Sequence, residues 1–241
     1  MSKAGDLCDN DTPLPARREV LGVRGPPAAV PNHERTDPLT PSLRAGRGNE
    51  ITLIDLGYGN LGSIRIAFER LGAPVVTSSD PAELAAADRL VLPGVGAAAF
   101  AMERLRTLGL IDTIRDYGRP FLGICLGMQL MFDWSEEGAT DCLGLISGNV
   151  RKLTAAPGRP VPHMGWSLVS IQDRDRGLAD GDYVYFAHSY ACDPGPFGIA
   201  YAQYGAPISA AVARDNFLGC QFHPERSGEA GARFLKAFLE R

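Results

Sequence analysis

Hydrophobic positions along this chain fall into two regimes that meet near residue 50. Over residues 1–49 apolar residues are sparse and hold no period, and seven of the chain's 18 prolines (Pro13, Pro15, Pro26, Pro27, Pro31, Pro38 and Pro41) lie there. Such a stretch cannot bury enough apolar surface to offset the entropy of ordering, so residues 1–49 are expected to be a disordered, Pro-rich extension. From Ile51 the pattern changes. Ile51-Thr-Leu-Ile-Asp-Leu56 reads as a buried strand broken by the turn Gly57-Tyr-Gly-Asn60. Leu61, Ile64, Ala67, Phe68 and Leu71 then recur at spacings of three and four, which predicts a helix ended by Gly72.

The same alternation continues. Pro74–Thr77 reads as a second strand, Asp80-Pro81 opens a helix to about Ala87 by the cap-then-proline signal, and Leu90-Val-Leu92 is a third strand ended by Pro93-Gly94. Helices are expected over Ala97–Leu108 and Gly109–Tyr117, a fourth buried strand over Pro120–Ile124, and a helix from Leu126 to about Phe132. Beyond Thr140 the signal becomes short strands, near Val150 and over Pro162–Ile171, Tyr183–Ala187, Ile199–Gln203, Ser209–Ala213 and Leu218–Phe222. Glu229–Leu239 closes the chain as an amphipathic helix. Strands alternating with helices predict an α/β fold, a mostly parallel sheet flanked by helices, with a smaller antiparallel β portion. Residues 50–241 suffice for one such domain.

Composition narrows the function classes. Of 241 residues, 45% are hydrophobic and 22% charged, the profile of an ordinary globular protein. Residues 1–49 carry seven Lys/Arg and six Asp/Glu, leaving 17 basic and 22 acidic residues beyond them. That body has no overall field to hold a polyanion, so no nucleic-acid partner is expected. No apolar run approaches the ~20 residues of a membrane span, so no membrane association is expected either. The N-terminus lacks a secretory apolar region, which makes the cytoplasm the expected location, and its six acidic residues count against a transit peptide. Five cysteines, widely spread and without a CxxC pair, argue against a disulfide framework and a structural zinc site. No metal or cofactor is expected.

Candidate chemistry centres on Cys125 in Gly123-Ile-Cys-Leu-Gly127, where a buried strand must turn sharply into a helix: a cysteine form of the nucleophile elbow. A thiol at a helix N-terminus meets the positive end of the helix dipole, which favours the thiolate. The competing reading is a buried structural cysteine. Four histidines could serve as base. His33 falls in the extension, and His163 and His188 read more readily as structural histidines at strand ends. His223 in Phe222-His-Pro-Glu225 has Glu225 two residues on, placed to orient its ring if the chain is extended. Cys125, His223 and Glu225 then form a nucleophile, base and orienter. Pro93-Gly-Val-Gly96 follows the third strand, so its backbone N–H groups lie at the carboxyl edge of the sheet, where an oxyanion hole would serve Cys125.

Together these motifs resemble the class I glutamine amidotransferases, which have a flavodoxin-like fold, and within them the glutaminase subunits of imidazole glycerol phosphate synthase. The resemblance is carried by Asp55-Leu-Gly-Tyr-Gly-Asn-Leu61, Pro93-Gly-Val-Gly96, Gly123-Ile-Cys-Leu-Gly-Met-Gln129, Pro162-His-Met-Gly-Trp166, His188-Ser-Tyr190 and Phe222-His-Pro-Glu225. It covers residues 51–227 and leaves the extension out. Two positions depart from the family pattern: Ser167 stands where Asn follows Gly-Trp, and Gly96-Ala-Ala-Ala-Phe100 replaces the usual Gly-Ala-Phe arrangement.

The resemblance implies that Cys125 attacks the glutamine side-chain amide, that His223 acts as base and then acid, and that Glu225 orients it. It implies further that Gln129 and the Ser189-Tyr190 backbone hold glutamine, and that Gly94, Val95 and Gly96 form the oxyanion hole with the Leu126 N–H. Ammonia would pass to a (β/α)₈-barrel cyclase subunit in histidine biosynthesis, with Met164, Trp166 and Tyr185 at the interface. A Val95 peptide turned away from the oxyanion would keep the isolated subunit slow until cyclase ligand biases the loop. Three alternatives stay open: a glutaminase subunit of another synthase, a catalytically silent binding partner, and a cysteine hydrolase of the same sheet type acting on a different substrate.

Overall fold

The computed structural model describes residues 48–173 and 176–241. The disorder expected of residues 1–49 therefore falls, but for Gly48 and Asn49, outside the described residues. In chain order the elements begin β1 (Ile51–Ile54), α1 (Leu61–Arg70), β2 (Val75–Ser78), α2 (Pro81–Ala86), β3 (Arg89–Gly94), α3 (Ala98–Thr107), α4 (Leu110–Arg115), β4 (Phe121–Cys125) and α5 (Leu126–Gln129). They continue β5 (Phe132–Ser135), β6 (Thr140–Asp141), β7 (Ile146–Lys152), β8 (His163–Ile171), β9 (Tyr183–His188), β10 (Tyr190–Cys192), β11 (Gly198–Tyr204), β12 (Ala206–Arg214), β13 (Phe217–Cys220) and α6 (Gly228–Leu239).

Nine strands form one sheet in the order β2-β1-β3-β4-β13-β12-β11-β8-β9. The first five run parallel, and their order is that of a flavodoxin-like sheet, with helices crossing over both faces. From β13 outward every pairing is antiparallel. A second sheet, β10-β7-β5-β6, lies beside it. The expected parallel sheet and antiparallel portion are thus both present, and the antiparallel strands continue the parallel sheet instead of standing apart from it.

Burial explains why the inner parallel strands are largely apolar, while the edge strand β2 is only partly so. Ile51, Leu53, Val91, Leu122 and Ile124 pack on one face with Ile64 and Phe68 of α1 and Phe234, Leu235 and Phe238 of α6. Ile54, Leu90, Leu92 and Phe121 pack on the other with Leu105 of α3, Ile114 of α4 and Met128 of α5. Alternate side chains thus enter opposite cores, the reason for a continuous run rather than an alternating one. The start of α2 follows the sequence signal directly: Asp80 accepts from the Ala82 and Glu83 N–H groups at 2.8 and 3.0 Å, with Pro81 in the first turn.

Two local expectations are corrected, and two short strands are added. The helix expected from Leu126 to about Phe132 ends at Gln129, and Phe132–Ser135 is instead β5, parallel to β7. A short buried apolar run fits either state, and here pairing with β7 decided it. β6 and β10 are two and three residues long, too short to show a period. Finally, β3 does not stop before Pro93: Pro93 and Gly94 pair with Ile124 and Cys125.

Candidate active site

The carboxyl ends of β3, β4 and β13 converge on one cavity of about 450 Å³. Its lining includes Gly94, Val95, Gly96, Cys125, Leu126 and Gln129 from the parallel half, and Ser189, Tyr190, His223 and Glu225 from the antiparallel half. All the residues assigned to catalysis and to glutamine binding from the sequence are therefore brought together. Met164 reaches the same cavity, whereas Trp166 and Tyr185 do not line it.

Cys125 sits at the junction of β4 and α5 with φ 54° and ψ −110°, a strained conformation that points its thiol off the sheet edge. The flanking glycines are required by contact. A Cβ on Gly127 would lie 1.9 Å from the Leu92 carbonyl oxygen, one on Gly123 2.7 Å from Gly127 backbone, and one on Gly94 2.5 Å from the Gly127 nitrogen. The elbow is thus an interlock of three glycines that lets β3, β4 and α5 meet. The helix that follows has only four residues, so the elbow positions the thiol mainly through this packing.

His223 lines the same cavity as Cys125, and its Nδ1 lies 2.9 Å from Glu225 Oε1. Burial acts to lower its pKa, but the hydrogen bonds and negative charge offered by Cys125 and Glu225 outweigh it and raise the value to about 10. Its backbone is held as well, since the His223 N–H donates to the Tyr185 carbonyl of β9 at 2.8 Å. Glu225 reaches His223 by a route other than the extended chain expected: Pro224–Arg226 is a 3-10 turn that folds the carboxylate back toward the ring.

Gly94 pairs directly with Cys125, which sets the following Val95-Gly96 backbone beside the thiol. Val95 is 40% exposed, at the mouth of the cavity. Below that loop the departure at Ala97–Ala99 is accommodated by Glu137, whose Oε2 accepts from the Ala98 N–H at 2.7 Å and so caps α3, where Ala97 offers no side-chain cap. The side chain of Phe100 is exposed and packs on Tyr58, ring centroids 4.9 Å apart.

His163 and His188 are satisfied structural histidines, as the sequence suggested. They face each other across β8 and β9, with His163 Nδ1 3.2 Å from His188 Nε2. Burial pushes both down to about 4, so both are neutral at physiological pH. Ser167, in place of the family's Asn, lies 2.9 Å from His163 Nε2. Sequence reasoning missed Gln221, fully buried with Nε2 3.7 Å from the Cys125 sulfur. It stands two residues before His223, and alternation places it on the same side of the strand, but its orientation depends on Gln129 and Tyr190 from other elements.

Met164, Trp166 and Leu168 project from the outer face of β8 and Tyr183 from β9, each at least half exposed. Trp166 and Tyr185 pack edge to face at 6.0 Å, and the Arg226 guanidinium covers the Tyr185 ring at 4.1 Å. Met164, at 65% exposed, is not a core residue.

A doubly wound sheet with a Cys–His–Glu arrangement at its carboxyl edge defines a class of enzyme, and the family profile described as glutamine amidotransferase class-I matches residues 52–241: the chain belongs to that family. It is also 49% identical over 195 residues to imidazole glycerol phosphate synthase subunit HisH of Yersinia pseudotuberculosis, covering 79% of this chain and 99% of that protein. The HisH subunit of Escherichia coli K12 is likewise 49% identical, over 194 residues, covering 79% and 98%. Within the class, the chain is a member of the HisH family. Among solved structures, a glutamine amidotransferase superposes with a TM-score of 0.64 at 19% identity, covering 79% of this chain and 97% of that one. PurLQS from Thermotoga maritima gives 0.59 at 18%, again covering 79% and 97%. These structures share the fold.

Proposed function

We propose that Cys125, His223 and Glu225 are the catalytic triad of a glutaminase and that the chain is the glutaminase subunit of imidazole glycerol phosphate synthase. The observation that carries the triad is the His223–Glu225 pair inside the cavity that also contains Cys125, Gly94, Val95 and Gly96. Function as a synthase subunit is supported by the HisH relatives, which match this chain over nearly their whole length.

The chemistry follows from these positions. The Cys125 thiolate adds to the side-chain amide carbon of glutamine, and backbone N–H groups of the Val95-Gly96 segment and Leu126 stabilise the oxyanion. His223, protonated and oriented by Glu225, gives its proton to the departing nitrogen, and ammonia leaves. Water, deprotonated by His223, then attacks the thioester, releasing glutamate and restoring the thiol. Gln129 and the backbone of Ser189 and Tyr190 hold the glutamine. Both Gln129 amide hydrogens are already committed within the protein, so its Oε1 is the atom offered to substrate.

Ammonia released into water would be protonated and lose its nucleophilicity, so it passes directly to a (β/α)₈-barrel cyclase subunit. The exposed Met164, Trp166, Leu168 and Tyr183 supply an apolar face for that partner, and Met164 joins this face to the catalytic cavity. Val95 gates the oxyanion hole by turning its peptide, so glutamine turnover should rise when the cyclase and its ligand are added. Unchanged turnover would remove the gating role. The triad is tested by Cys125→Ser in the assembled complex: glutamine-dependent synthesis is lost while ammonia-dependent synthesis persists, and retained glutamine hydrolysis would overturn the nucleophile assignment.

A further inference from the structure

The backbone carbonyl of Tyr190 accepts two hydrogen bonds, one from Gln129 Nε2 at 2.7 Å and one involving His188 Nδ1 at 2.7 Å. A carbonyl can only accept, and that fixes the direction of every bond leading away from it. On one side the Gln129 amide must present its NH₂ group. The same nitrogen lies 2.8 Å from Gln221 Oε1, so Gln221 accepts there with its oxygen. Its own NH₂ must then face the Cys125 sulfur, 3.7 Å away. The opposite amide orientation would set two donors against each other and turn an oxygen toward the thiolate.

On the other side His188 donates from Nδ1, which leaves Nε2 as acceptor for His163 Nδ1–H. His163 Nε2 is then an acceptor, satisfied by the Ser167 hydroxyl. Each link has one admissible direction, and Gln129, Gln221, His163 and His188 are all nearly or fully buried. Burial shields these groups from competition by solvent, so the orientation persists.

We propose that Gln221 is a positioning residue for the nucleophile, its amide N–H held on the Cys125 sulfur by a hydrogen-bond chain whose direction is set by the Tyr190 carbonyl. The inference rests on Cys125 being the nucleophile. A directed N–H stabilises the thiolate over the thiol and limits rotation of the side chain, so that sulfur faces the cavity. The role differs from that of His223, because a primary amide neither gives up nor takes a proton in this range. The other titratable groups near the sulfur are His223 and Glu225, Cys220 of β13 and Cys192 of β10, with Tyr58, Glu137, His188, Tyr190 and Arg226 on the cavity wall.

The test is the rate of Cys125 alkylation by iodoacetamide against pH in the full chain, read by peptide mass spectrometry, for the parent, Gln221→Met and the isosteric Gln221→Glu. Without the N–H, the midpoint of the profile should move up by about one pH unit in Gln221→Met, a tenfold loss of thiolate at pH values well below both midpoints, and further in Gln221→Glu. Glutaminase kcat should fall at least tenfold in both, with KM changed less than about threefold, since the amide touches the nucleophile and not the substrate. If Gln221→Met fails to fold, Gln221→Glu, equal in size and shape, carries the measurement. A folded variant of either kind with the parental alkylation profile overturns the positioning role. Alkylation of parental Cys125 that leaves glutamine hydrolysis intact would instead overturn the nucleophile assignment.

Discussion

At the scale of single residues, the site depends on groups that are individually ordinary and jointly constrained. Glu225 holds the His223 ring by one oxygen, and Oε2 has no protein partner among the described residues. Glu225→Gln should therefore lower glutaminase kcat on the order of 10²- to 10⁴-fold with little change in KM, measured in steady-state assays of the complex. Gly127→Ala places a methyl group 1.9 Å from the Leu92 carbonyl oxygen. It should cost about 1–3 kcal/mol or more in a denaturant melt, because neither backbone can yield freely. The buried histidines set the acid limb of stability. His163 and His188 titrate near 4 in the fold and near 6.5 when unfolded, so the unfolded chain binds more protons between those values. Stability is fully present above about pH 6.5 and declines as pH falls toward 4. His223, raised to about 10, acts in the opposite sense: its contribution is complete below about 6.5 and is lost as pH rises toward 10. Melting temperature should thus peak near neutral pH, and His163→Gln should flatten the acid side in a melt series from pH 7 to 4.5.

At the scale of elements, what the sequence made legible follows from how each signal is generated. The central parallel strands buried on both faces announce themselves as apolar runs, and α1, α2 and α6 by spacing and caps. The triad was legible because Gly-x-Cys-x-Gly and His-Pro-Glu encode local backbone geometry. Gln221 was not, because its role depends on Gln129 and Tyr190, which other elements deliver, and β5 was not, because pairing with β7 outweighed an ambiguous apolar run. Pro224–Arg226 taught a similar lesson: the expected contact between Glu225 and His223 is present, yet a 3-10 turn and not an extended strand creates it. β8 and β9 carry a prediction of their own. Their outer side chains Trp166 and Leu168 pair with Tyr185 and Tyr183 across the ladder, and the Tyr185 carbonyl anchors the His223 N–H. Trp166→Ala should weaken association with the cyclase about tenfold or more by titration calorimetry while leaving the melting temperature of the isolated subunit within a degree or two.

At the scale of the whole molecule, the HisH relatives align with 79% of this chain and 98–99% of their own length, so residues before the amidotransferase domain have no counterpart in them. Removing residues 1–47 should leave glutamine hydrolysis and complex formation unchanged, and a large loss in either assay would assign the extension a role. The arrangement of the nine-stranded sheet has another consequence. β13 lies in its middle, parallel to β4 and antiparallel to β12, and the segment just beyond it brings His223 and Glu225 to a cysteine placed about halfway along the chain. Gln221 and Cys125 are 96 positions apart. A chain emerging from the ribosome therefore carries its nucleophile long before its base, and the site is complete only when the last strand is paired on both edges. Completion of the sheet and onset of catalysis are one event, so an unfinished or C-terminally clipped copy consumes no glutamine.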